Sequence, residues 1–521
     1  MSISDIYDGW GRLTKVLALV AALAVVAGAI VAGIELTRPD LSCGEGVSKK
    51  TPDGECTGVT DGAFSFSPAL DAVSHRIKVE NDSIADRPHV TVAVMIPMTG
   101  LAQSVSQDRV LRQLQGAYLA QYRANHDDGG RTPPIRLVLA NPGSDSFDWR
   151  PVTEQLAGMA ASTQDNLRAV TGFDRSVPST KAAIAHLTRD LKIPVVGGAI
   201  TADDLANSPQ APKDFPGLVR VVPTNTGEAD ALSYYGAQSG TPESAVVVED
   251  TREDDNYITT LKRAFERNTK VTAAHQPQTY TSPQDINQVG NIPNVFDIMI
   301  QNICQSQANT IYFAGRYLQL RLFINRLGAR GCTTKPYTVL SGSEANSLLA
   351  DPELDWAALS KNVTVRYVSL AHRDMWTGPA VNGGSAEDLQ ALSARVDQAA
   401  KEPVGPIGPT DLFDSRTIVM HDTVWTAISG IRLSVSGTTP PATSANPLPS
   451  ITDVADIWQF MHSKAMVKGA GGWICLDQNG NPYDKALAIV ELRDNPRAAK
   501  FVGLAWPTGK PPEEDCTAPN S

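Results

Sequence analysis

The sequence predicts an α/β protein with two doubly wound, Rossmann-like lobes, preceded by one N-terminal transmembrane helix. From residue 89 onwards, short β-branched apolar runs alternate with segments of helical spacing, which is typical of parallel sheets covered by helices on both faces. The alternation provides more strands than one doubly wound sheet holds comfortably, and this favours two lobes. Residues 16–34 form a run of 19 uncharged residues, long enough to cross a bilayer as a helix.

The N-terminal segment predicts a single-pass protein of the cell membrane. Residues 1–15 form a short cytoplasmic tail and residues 16–36 the transmembrane helix or uncleaved signal anchor. Arg12 and Lys15 place the cationic excess before the helix, so the N-terminus is expected in the cytoplasm and the rest of the chain outside it. A cleaved signal peptide is the alternative, because Ala27-Gly28-Ala29 fits a cleavage site. The length of the apolar run favours the anchor.

The first lobe is predicted from the next part of the chain. Residues 37–87 are polar, rich in Gly and Asp and weakly periodic, and they are interpreted as a stalk with a small Cys loop. The elements that follow are strands at 89–96, 135–140, 169–171 and 194–196, and helices at 108–125, 149–162 and 178–191.

The alternation then repeats along the chain from residue 218 onwards. Strands are predicted at 218–222, 245–249, 271–274, 310–313, 337–340 and 363–370, with helices at 228–236, 256–267, 295–303 and 317–327. Two helices at 414–433 and 451–463 flank a Pro- and Ser-rich loop at 435–450. The chain closes on a hairpin, 473–476 and 486–492, around Asn479-Gly480, and on a tail at 496–521.

Six cysteines without a CxxC motif or nearby His pairs favour disulfides over a metal site. Six cysteines allow fifteen pairings, so the sequence leaves the choice open. The favoured set joins Cys43 to Cys56, Cys304 to Cys332 and Cys475 to Cys516. The first pair closes a small loop, the second joins two strand starts at one sheet edge, and the third joins the hairpin to the tail.

Composition and motifs argue against several classes of function. The net charge of −11 argues against a nucleic-acid partner. The sequence has no GxSxG elbow, HExxH motif, phosphate loop ending in GK[ST] or GxGxxG after a strand, so an enzyme is not expected and no cofactor is implied. The turn at 477–481 is similar to a calcium loop but lacks the distal Glu, so no metal is expected there.

The order of motifs resembles the type I periplasmic binding proteins, the solute receptors of branched-chain-amino-acid-type ABC importers, which are related to the ligand-binding ectodomains of several receptors. The resemblance covers about residues 88–495. It is carried by IPMTG at 96–100, Asn125 with Gly129-Gly130, VTG with Ser176 at 170–176, PVVGGAIT at 194–201, FP and RVVP at 215–223, VED with Tyr257 at 248–257, SGSE at 341–344 and the closing hairpin.

The resemblance implies that the chain crosses between the lobes at three hinge segments. Lobe 1 would comprise residues 88–222 and about 371–465. Lobe 2 would comprise residues 223–370 and about 466–495, including the hairpin as a structural fastening.

Ligands of open α/β sheets bind beyond the carboxyl ends of the strands, and the family holds its ligand with loops at these positions. Transferred by position, Ser176 and Thr201 would contact a carboxylate and Glu344 an ammonium group, while Tyr257 and Tyr317 would pack on the ligand. The full predicted set is Thr99, Arg175, Ser176, Ala199, Thr201, Asp250, Tyr257, Arg316, Tyr317 and Glu344.

Charged residues are a departure from the family's pattern. Asp174-Arg175 stands where small hydroxyl residues are common, and Arg316 occupies a loop where small residues are common. Two arginines at the mouth of the cleft suit an anionic or bidentate ligand. Alternatively, Asp174 and Arg175 pair with each other.

These features predict a membrane-anchored extracytoplasmic solute-binding protein that closes two lobes over a small polar ligand, by default an amino acid or related organic acid. The expected partner is an ABC permease or another membrane protein. The alternative is a ligand-sensing or scaffolding ectodomain of a membrane signalling complex.

Overall fold

The computed structural model describes residues 11–21, 23–24, 41–100, 104–127, 129, 133–238, 244–269, 275–285, 288–436 and 448–518. Residues 12–21 are helical. Within the described ranges, no helix is long and apolar enough to cross a membrane. Residues 25–40, which include much of the predicted transmembrane segment, lie outside the described residues, as does the predicted strand at 271–274.

The first lobe is built on an eight-stranded sheet. Its strands are β1 (Ser42–Gly44), β2 (Val47–Ser48), β3 (Thr57–Thr60), β4 (Val90–Met95), β5 (Ile135–Asn141), β6 (Leu167–Gly172), β7 (Val195–Gly197) and β8 (Leu218–Arg220), in the spatial order β1-β2-β3-β5-β4-β6-β7-β8. Its first helices are α1 (Asp71–Ser83), α2 (Ser104–Tyr122), α3 (Trp149–Ala161) and α4 (Pro178–Ala185). The five neighbouring strands β5, β4, β6, β7 and β8 run parallel to one another. Strands β1, β2 and β3 each pair antiparallel with their neighbours, and β3 pairs antiparallel with β5.

The second lobe is built on a seven-stranded sheet. Its helices are α5 (Asn225–Gln238), α6 (Asn256–Thr269), α7 (Ile292–Gln305) and α8 (Tyr317–Gly328), and its first strands are β9 (Ala245–Asp250), β10 (Gln278–Tyr280), β11 (Thr310–Ala314), β12 (Tyr337–Ser341) and β13 (Val363–Ser369). These five strands are parallel and pair in the order β10-β9-β11-β12-β13.

The last part of the chain contributes to both lobes. It forms α9 (Ala386–Gln398), α10 (Ser415–Ser436), α11 (Ile451–Ile457), a separate pair of strands, β14 (Val467–Gly469) and β15 (Gly472–Ile474), and finally β16 (Leu487–Arg493) and β17 (Ala498–Ala505). Helix α10 packs along α2 and against β6 in lobe 1. Strands β16 and β17 add two antiparallel strands to the lobe 2 sheet beside β13.

The chain therefore crosses between the lobes three times, as the resemblance implies. The crossings lie between β8 and α5, between β13 and α9, and between β15 and β16. The third crossing comes later than the predicted boundary near residue 465, because β14, which pairs with β15, packs against α10 of lobe 1. All three predicted disulfides, Cys43–Cys56, Cys304–Cys332 and Cys475–Cys516, are confirmed.

The described part of the predicted stalk is a folded part of lobe 1, so that interpretation is wrong. Strand β3 pairs antiparallel with β5, and its four residues are buried. Helix α1 buries polar side chains that bond to other elements, including Asn81, whose Nδ2 donates to the Leu137 carbonyl at 2.7 Å. Because the buried face of α1 is partly polar, its sequence has the weak periodicity of a linker.

The predicted closing hairpin is also wrong as a strand pair, although its turn forms. Asp477 accepts hydrogen bonds from the backbone N–H groups of Asn479 and Asn481, and Gly480 has a φ of +76°. The turn rests on lobe 1, where the Arg220 N–H donates to the Gly480 carbonyl at 2.9 Å. Strand β15 pairs with β14, and β16 pairs with β13 and β17.

The described part of the predicted C-terminal tail, residues 496–518, is likewise part of the fold. Strand β17 forms the edge of the lobe 2 sheet. Cys516 is buried in its disulfide with Cys475. The alternating small and apolar residues of β17 lie beyond the region of resemblance, so the sequence provided no template for them.

A glycine sets the close approach of the two long helices in lobe 1. A Cβ added to Gly116 of α2 would lie 2.3 Å from the backbone oxygen of Thr417 on α10, whereas one added to Gly158 of α3 meets no heavy atom within 4 Å. We expect Gly116→Ala to lower the free energy of unfolding by roughly 1–3 kcal/mol, because the helices must separate. Gly158→Ala is the matched control and should raise stability by about 0.5–1 kcal/mol. Urea denaturation of both variants measures the difference, and equal values would contradict the packing argument.

Candidate functional site

Loops from the two lobes meet around one small cavity. It is lined by Arg109, Asp174, Ser176, Ala199 and Thr201 of lobe 1, by Tyr257, Arg316, Ser343, Glu344, Asn346 and Leu370 of lobe 2, and by Ser415 and Arg416 at the start of α10. Most of these residues follow the carboxyl ends of parallel strands, where such sheets place their ligands. The cavity volume is about 30 Å³. At roughly 10–15 Å³ for each water, this is room for two or three water molecules, so a larger ligand requires the lobes to separate.

Ser176 is one of the points at which the lobes touch, beside the hydrogen bonds from Asn346 to Ser415 and from Arg416 to Ser347, each at 2.9 Å. Its carbonyl accepts hydrogen bonds from two lobe 2 donors, the N–H of Tyr257 at 3.2 Å and Nη2 of Arg316 at 3.1 Å. Its hydroxyl oxygen accepts from the backbone N–H groups of Thr201 and Ala202, each at 3.2 Å. The serine thus ties the loop after β6 to the loop after β7 and to the opposite lobe.

Arg316 is fully buried and balanced by two carboxylates. Its Nε and Nη2 donate to Asp255 at 3.0 and 2.9 Å, and its Nη1 donates to Glu344 at 2.6 Å. Burial works to lower the pKa of Arg316, but Asp255 and Glu344 outweigh it and raise the pKa above its ordinary value. The guanidinium also lies over the ring of Tyr257, 4.7 Å from the centroid. Arg316 therefore remains charged and holds the lobe 2 loops together.

Asp174 provides an acceptor in the wall of the cavity. Its Oδ2 lies 3.2 Å from Nε of Arg109 and accepts a hydrogen bond from Gln113 at 3.0 Å. Its Oδ1 is buried and has no hydrogen-bond partner among the described residues. Burial would raise the pKa of Asp174, but Arg109, Gln113 and Arg175 outweigh it and hold the pKa below its ordinary value. The side chain is thus an ionised carboxylate with one unused oxygen.

The lobe 2 wall is positioned by a buried acid behind it. Glu228 of α5 accepts from the N–H of Ser343 at 2.9 Å and from its hydroxyl at 2.8 Å. Burial raises the pKa of Glu228 to about 8. Glu228 is therefore largely protonated at neutral pH. It is this neutral carboxylic acid that holds Ser343 in place.

Six of the ten residues predicted for the site line the cavity. They are Ser176, Ala199, Thr201, Tyr257, Arg316 and Glu344. Their contacts differ from those implied by the resemblance, because Arg316 already holds the carboxylate of Glu344. Arg316 is likewise not a free cation for an anionic ligand. Their roles in ligand binding remain predictions.

The other four predicted residues do not line the cavity. Thr99 donates to Glu55 at 2.7 Å, Arg175 pairs with Asp145 at 2.5 Å, and Asp250 accepts from the N–H groups of Arg252 and Ser282. Tyr317 is buried beside Leu318. The proposed Asp174–Arg175 pair is also wrong, since the two side chains bond to different partners.

Sequence reasoning did not include several residues of the cavity wall. Arg109, Asp174, Ser343, Asn346, Leu370, Ser415 and Arg416 all line the cavity but are absent from the predicted set. Ser415 and Arg416 open α10 directly after a polar loop, and this helix start on the second segment of lobe 1 is the signal that identifies them. Among the described residues, no group of three His, Cys, Asp or Glu side chains is placed to hold a metal ion.

No protein-family model and no curated protein sequence matches the chain. Solved structures do match it. A leucine-binding protein from Thermotoga maritima MSB8 is 16% identical, with 80% of this chain and 98% of that chain covered and a TM-score of 0.55. An ABC transporter substrate-binding protein from Desulfitobacterium hafniense, in complex with Leu, is 14% identical over 80% and 100% of the two chains, with a TM-score of 0.54. A solute-binding protein of an ABC transporter from Rhodopseudomonas palustris HaA2, in complex with p-hydroxybenzoic acid, is 13% identical over 81% and 98%, with a TM-score of 0.55.

The two parallel-stranded lobes, the three crossings and these structural matches define a class. The chain has the fold of the type I periplasmic binding proteins. The matches include structures of branched-chain amino acid transporter substrate-binding proteins, such as one from Streptococcus pneumoniae in complex with isoleucine. At these identities the similarity establishes the fold, and the ligand must be inferred from this chain's own cavity.

Proposed function

We propose that this protein is a solute receptor that closes its two lobes over a small zwitterionic ligand, with an α-amino acid as the leading class. The observation that carries the proposal is the buried Oδ1 of Asp174, an ionised acceptor without a partner among the described residues, in the wall of an interlobe cavity. A ligand ammonium group would satisfy this oxygen. Arg109 pairs with Oδ2 but leaves Oδ1 without a donor. A buried acceptor without a hydrogen bond is costly, so the site favours a donor there.

Donors for a carboxylate lie around the same cavity. Arg109, Arg416 and Ser415 all line it. Arg416 pairs with Asp414 at 2.7 Å and donates to Ser347 at 2.9 Å, so its orientation is fixed before a ligand arrives. A fixed guanidinium and a hydroxyl group are suited to a carboxylate, which completes the recognition of a zwitterion. A related organic acid would use the carboxylate donors alone.

The proposal extends to the cellular role. The apolar segment at residues 16–34 would anchor the protein in the cell membrane with the lobes outside the cytoplasm, and an ABC permease would be the partner that accepts the solute. The uncharged run in the sequence and the names of the structural matches support this role.

Melting temperatures of the full-length protein test this function. We expect one chemical class to raise the melting temperature in a panel of L-leucine, L-glutamate, L-arginine, succinate, p-hydroxybenzoate and glucose. A ligand at 100 times its dissociation constant stabilises by about 2.7 kcal/mol, which corresponds to several degrees. Asp174→Asn should remove the shift for amino acids and leave a shift caused by an organic acid. If amino acids raise the melting temperature of Asp174→Asn as much as that of the wild type, the role assigned to Asp174 is wrong.

A scaffold or sensor that binds no small solute is the second candidate, because the lobes already bond directly across the cleft at Ser176. In that case a well-folded protein would show no shift with any compound of the panel.

A further inference from the structure

The loop closed by the Cys43–Cys56 disulfide contacts the loops that follow β4 and β5, at the carboxyl ends of strands of the lobe 1 sheet. Glu55, next to Cys56, accepts hydrogen bonds from the hydroxyl of Thr99 and the backbone N–H of Ser144, both at 2.7 Å, and from the hydroxyl of Ser144. The loop also contributes the Cys56 carbonyl, which accepts from Asn141 at 2.8 Å. One carboxylate thus holds the loops that follow β4 and β5.

The segment held by Glu55 continues into an unusual backbone conformation. Asp145 and Ser146 have φ values of +50° and +58°, a left-handed region that side chains rarely adopt. The conformation carries the Asp145 carboxylate to Arg175, with Oδ1 2.5 Å from Nη1. The Asp145 carbonyl also accepts from the hydroxyl of Ser179. Two consecutive left-handed residues persist only where their surroundings fix them. Ser144, which Glu55 binds, directly precedes these two residues and so helps to fix them.

Arg175 lies in the chain between two residues of the cavity wall, Asp174 and Ser176, and is itself buried. Its charge reaches the cleft. Burial works to raise the pKa of Glu344, but Arg316, Arg109 and Arg175 together hold it below its ordinary value. Asp145 is the carboxylate paired with Arg175, so its position sets how much of that positive charge a ligand meets.

We infer that the disulfide-closed N-terminal loop is a working part of the ligand site, in which Glu55 positions Asp145 against Arg175 and so limits the affinity of the cleft for anions. Glu55 and Asp145 are positioning residues and touch no ligand. The inference rests on the proposed solute-binding function for its consequence, whereas the coupling from Glu55 to Arg175 is a property of the ligand-free protein.

The coupling is tested on the full-length protein without a ligand. The probe is phenylglyoxal, which modifies accessible arginine side chains, with the rate at Arg175 followed by peptide mass spectrometry. Glu55→Gln and Asp145→Asn should each raise the rate at Arg175 at least fivefold. Lys50→Ala is the matched control, because Lys50 belongs to the same loop but pairs with Asp148 at the surface. It should leave the rate within twofold of wild type.

Hydrogen exchange separates coupling from local loosening. Glu55→Gln should accelerate exchange in residues 141–148 and 173–179, while the lobe 2 segment 337–350 stays unchanged. Acceleration confined to residues 41–60, with an unchanged Arg175 rate in both variants, would overturn the inference. If Glu55→Gln does not fold, Asp145→Asn decides alone, because it removes a charge and keeps the side chain's shape.

A ligand pair distinguishes failure of the inference from failure of the proposed function. L-glutamate and L-glutamine differ by one negative charge, and Asp145→Asn should increase the melting shift with glutamate relative to that with glutamine. An increased Arg175 rate without any melting shift in either protein would uphold the coupling and reject the solute receptor. Both ligands could instead shift the melting temperature with the same glutamate-to-glutamine ratio in the wild type and in Asp145→Asn. That result would overturn the claim that Asp145 limits the affinity for anions.

Discussion

Arg316→Ala is expected to lower the free energy of unfolding by roughly 3–5 kcal/mol, because removing one partner of a buried ion pair leaves the carboxylate of Glu344 buried without its guanidinium. Asp255 would keep one guanidinium partner, Arg252, whose Nη2 lies 2.5 Å from its Oδ2. The matched control is Arg326→Ala on α8, the helix that begins directly after Arg316. Its pair with Asp297 is 3.7 Å long, and both side chains are more than 40% exposed. Arg326→Ala should lower the free energy of unfolding by less than about 1 kcal/mol. Guanidinium denaturation of the two variants measures the difference.

The same variant should also separate the lobes. Arg316 provides one of the two hydrogen bonds to the Ser176 carbonyl, and its loss leaves only the Tyr257 N–H. The radius of gyration from small-angle X-ray scattering should therefore increase in Arg316→Ala and stay unchanged in Arg326→Ala. A variant that is destabilised but as compact as wild type would show that Arg316 supports lobe 2 without holding the cleft closed.

Glu228→Gln is expected to stabilise the protein in alkaline solution. Burial raises the pKa of Glu228 to about 8, so the folded state binds the proton more tightly than the unfolded state does. The wild type therefore loses stability as the pH rises from the unfolded pKa of about 4.5 to the folded pKa of about 8. At about 1.36 kcal/mol per pKa unit, the loss approaches 5 kcal/mol as an upper bound. Glutamine remains neutral and avoids this loss.

Denaturation at two pH values tests this expectation. At about pH 5 the wild type and Glu228→Gln should agree within roughly 1 kcal/mol, because both carry a neutral group that bonds with Ser343. At about pH 9 the variant should be the more stable by several kcal/mol. Glu253→Gln, at an exposed position, is the control and should follow the wild type at both pH values. A variant that follows the wild-type pH dependence would show that Glu228 is ionised in the folded protein.

The alternation of strands and helices was sufficient to predict the two lobes. The apolar runs that became β4, β9 and β11 are buried along their whole length, and such runs can be recognised without tertiary information. The same reasoning missed α1 and β17. Helix α1 buries Arg76, Glu80 and Asn81, which bond to distant elements. A helix that buries polar groups lacks the apolar stripe on which sequence prediction depends.

Sequence position was enough to predict which loops reach the cavity, but it did not predict the charge pairs around it. Ser176 and Thr201 reach the cavity because loops after parallel strands converge at one edge of the sheet. The sequence could not show that Arg316 is held by Asp255, since these residues lie on loops after two different strands. Asp174 was considered as a partner of Arg175, but the adjacent side chains reach different partners. Such pairings depend on distances of a few ångströms between loops that are remote in sequence.

Calorimetric titration of the compound that most raises the melting temperature tests the central claim most directly. The claim is that a zwitterionic solute binds between the lobes at Asp174. The account predicts one binding site per chain in the wild type and an affinity at least tenfold weaker in Asp174→Asn, a loss of about 1.4 kcal/mol or more. An equal affinity in the two proteins, or binding at several sites per chain, would contradict it.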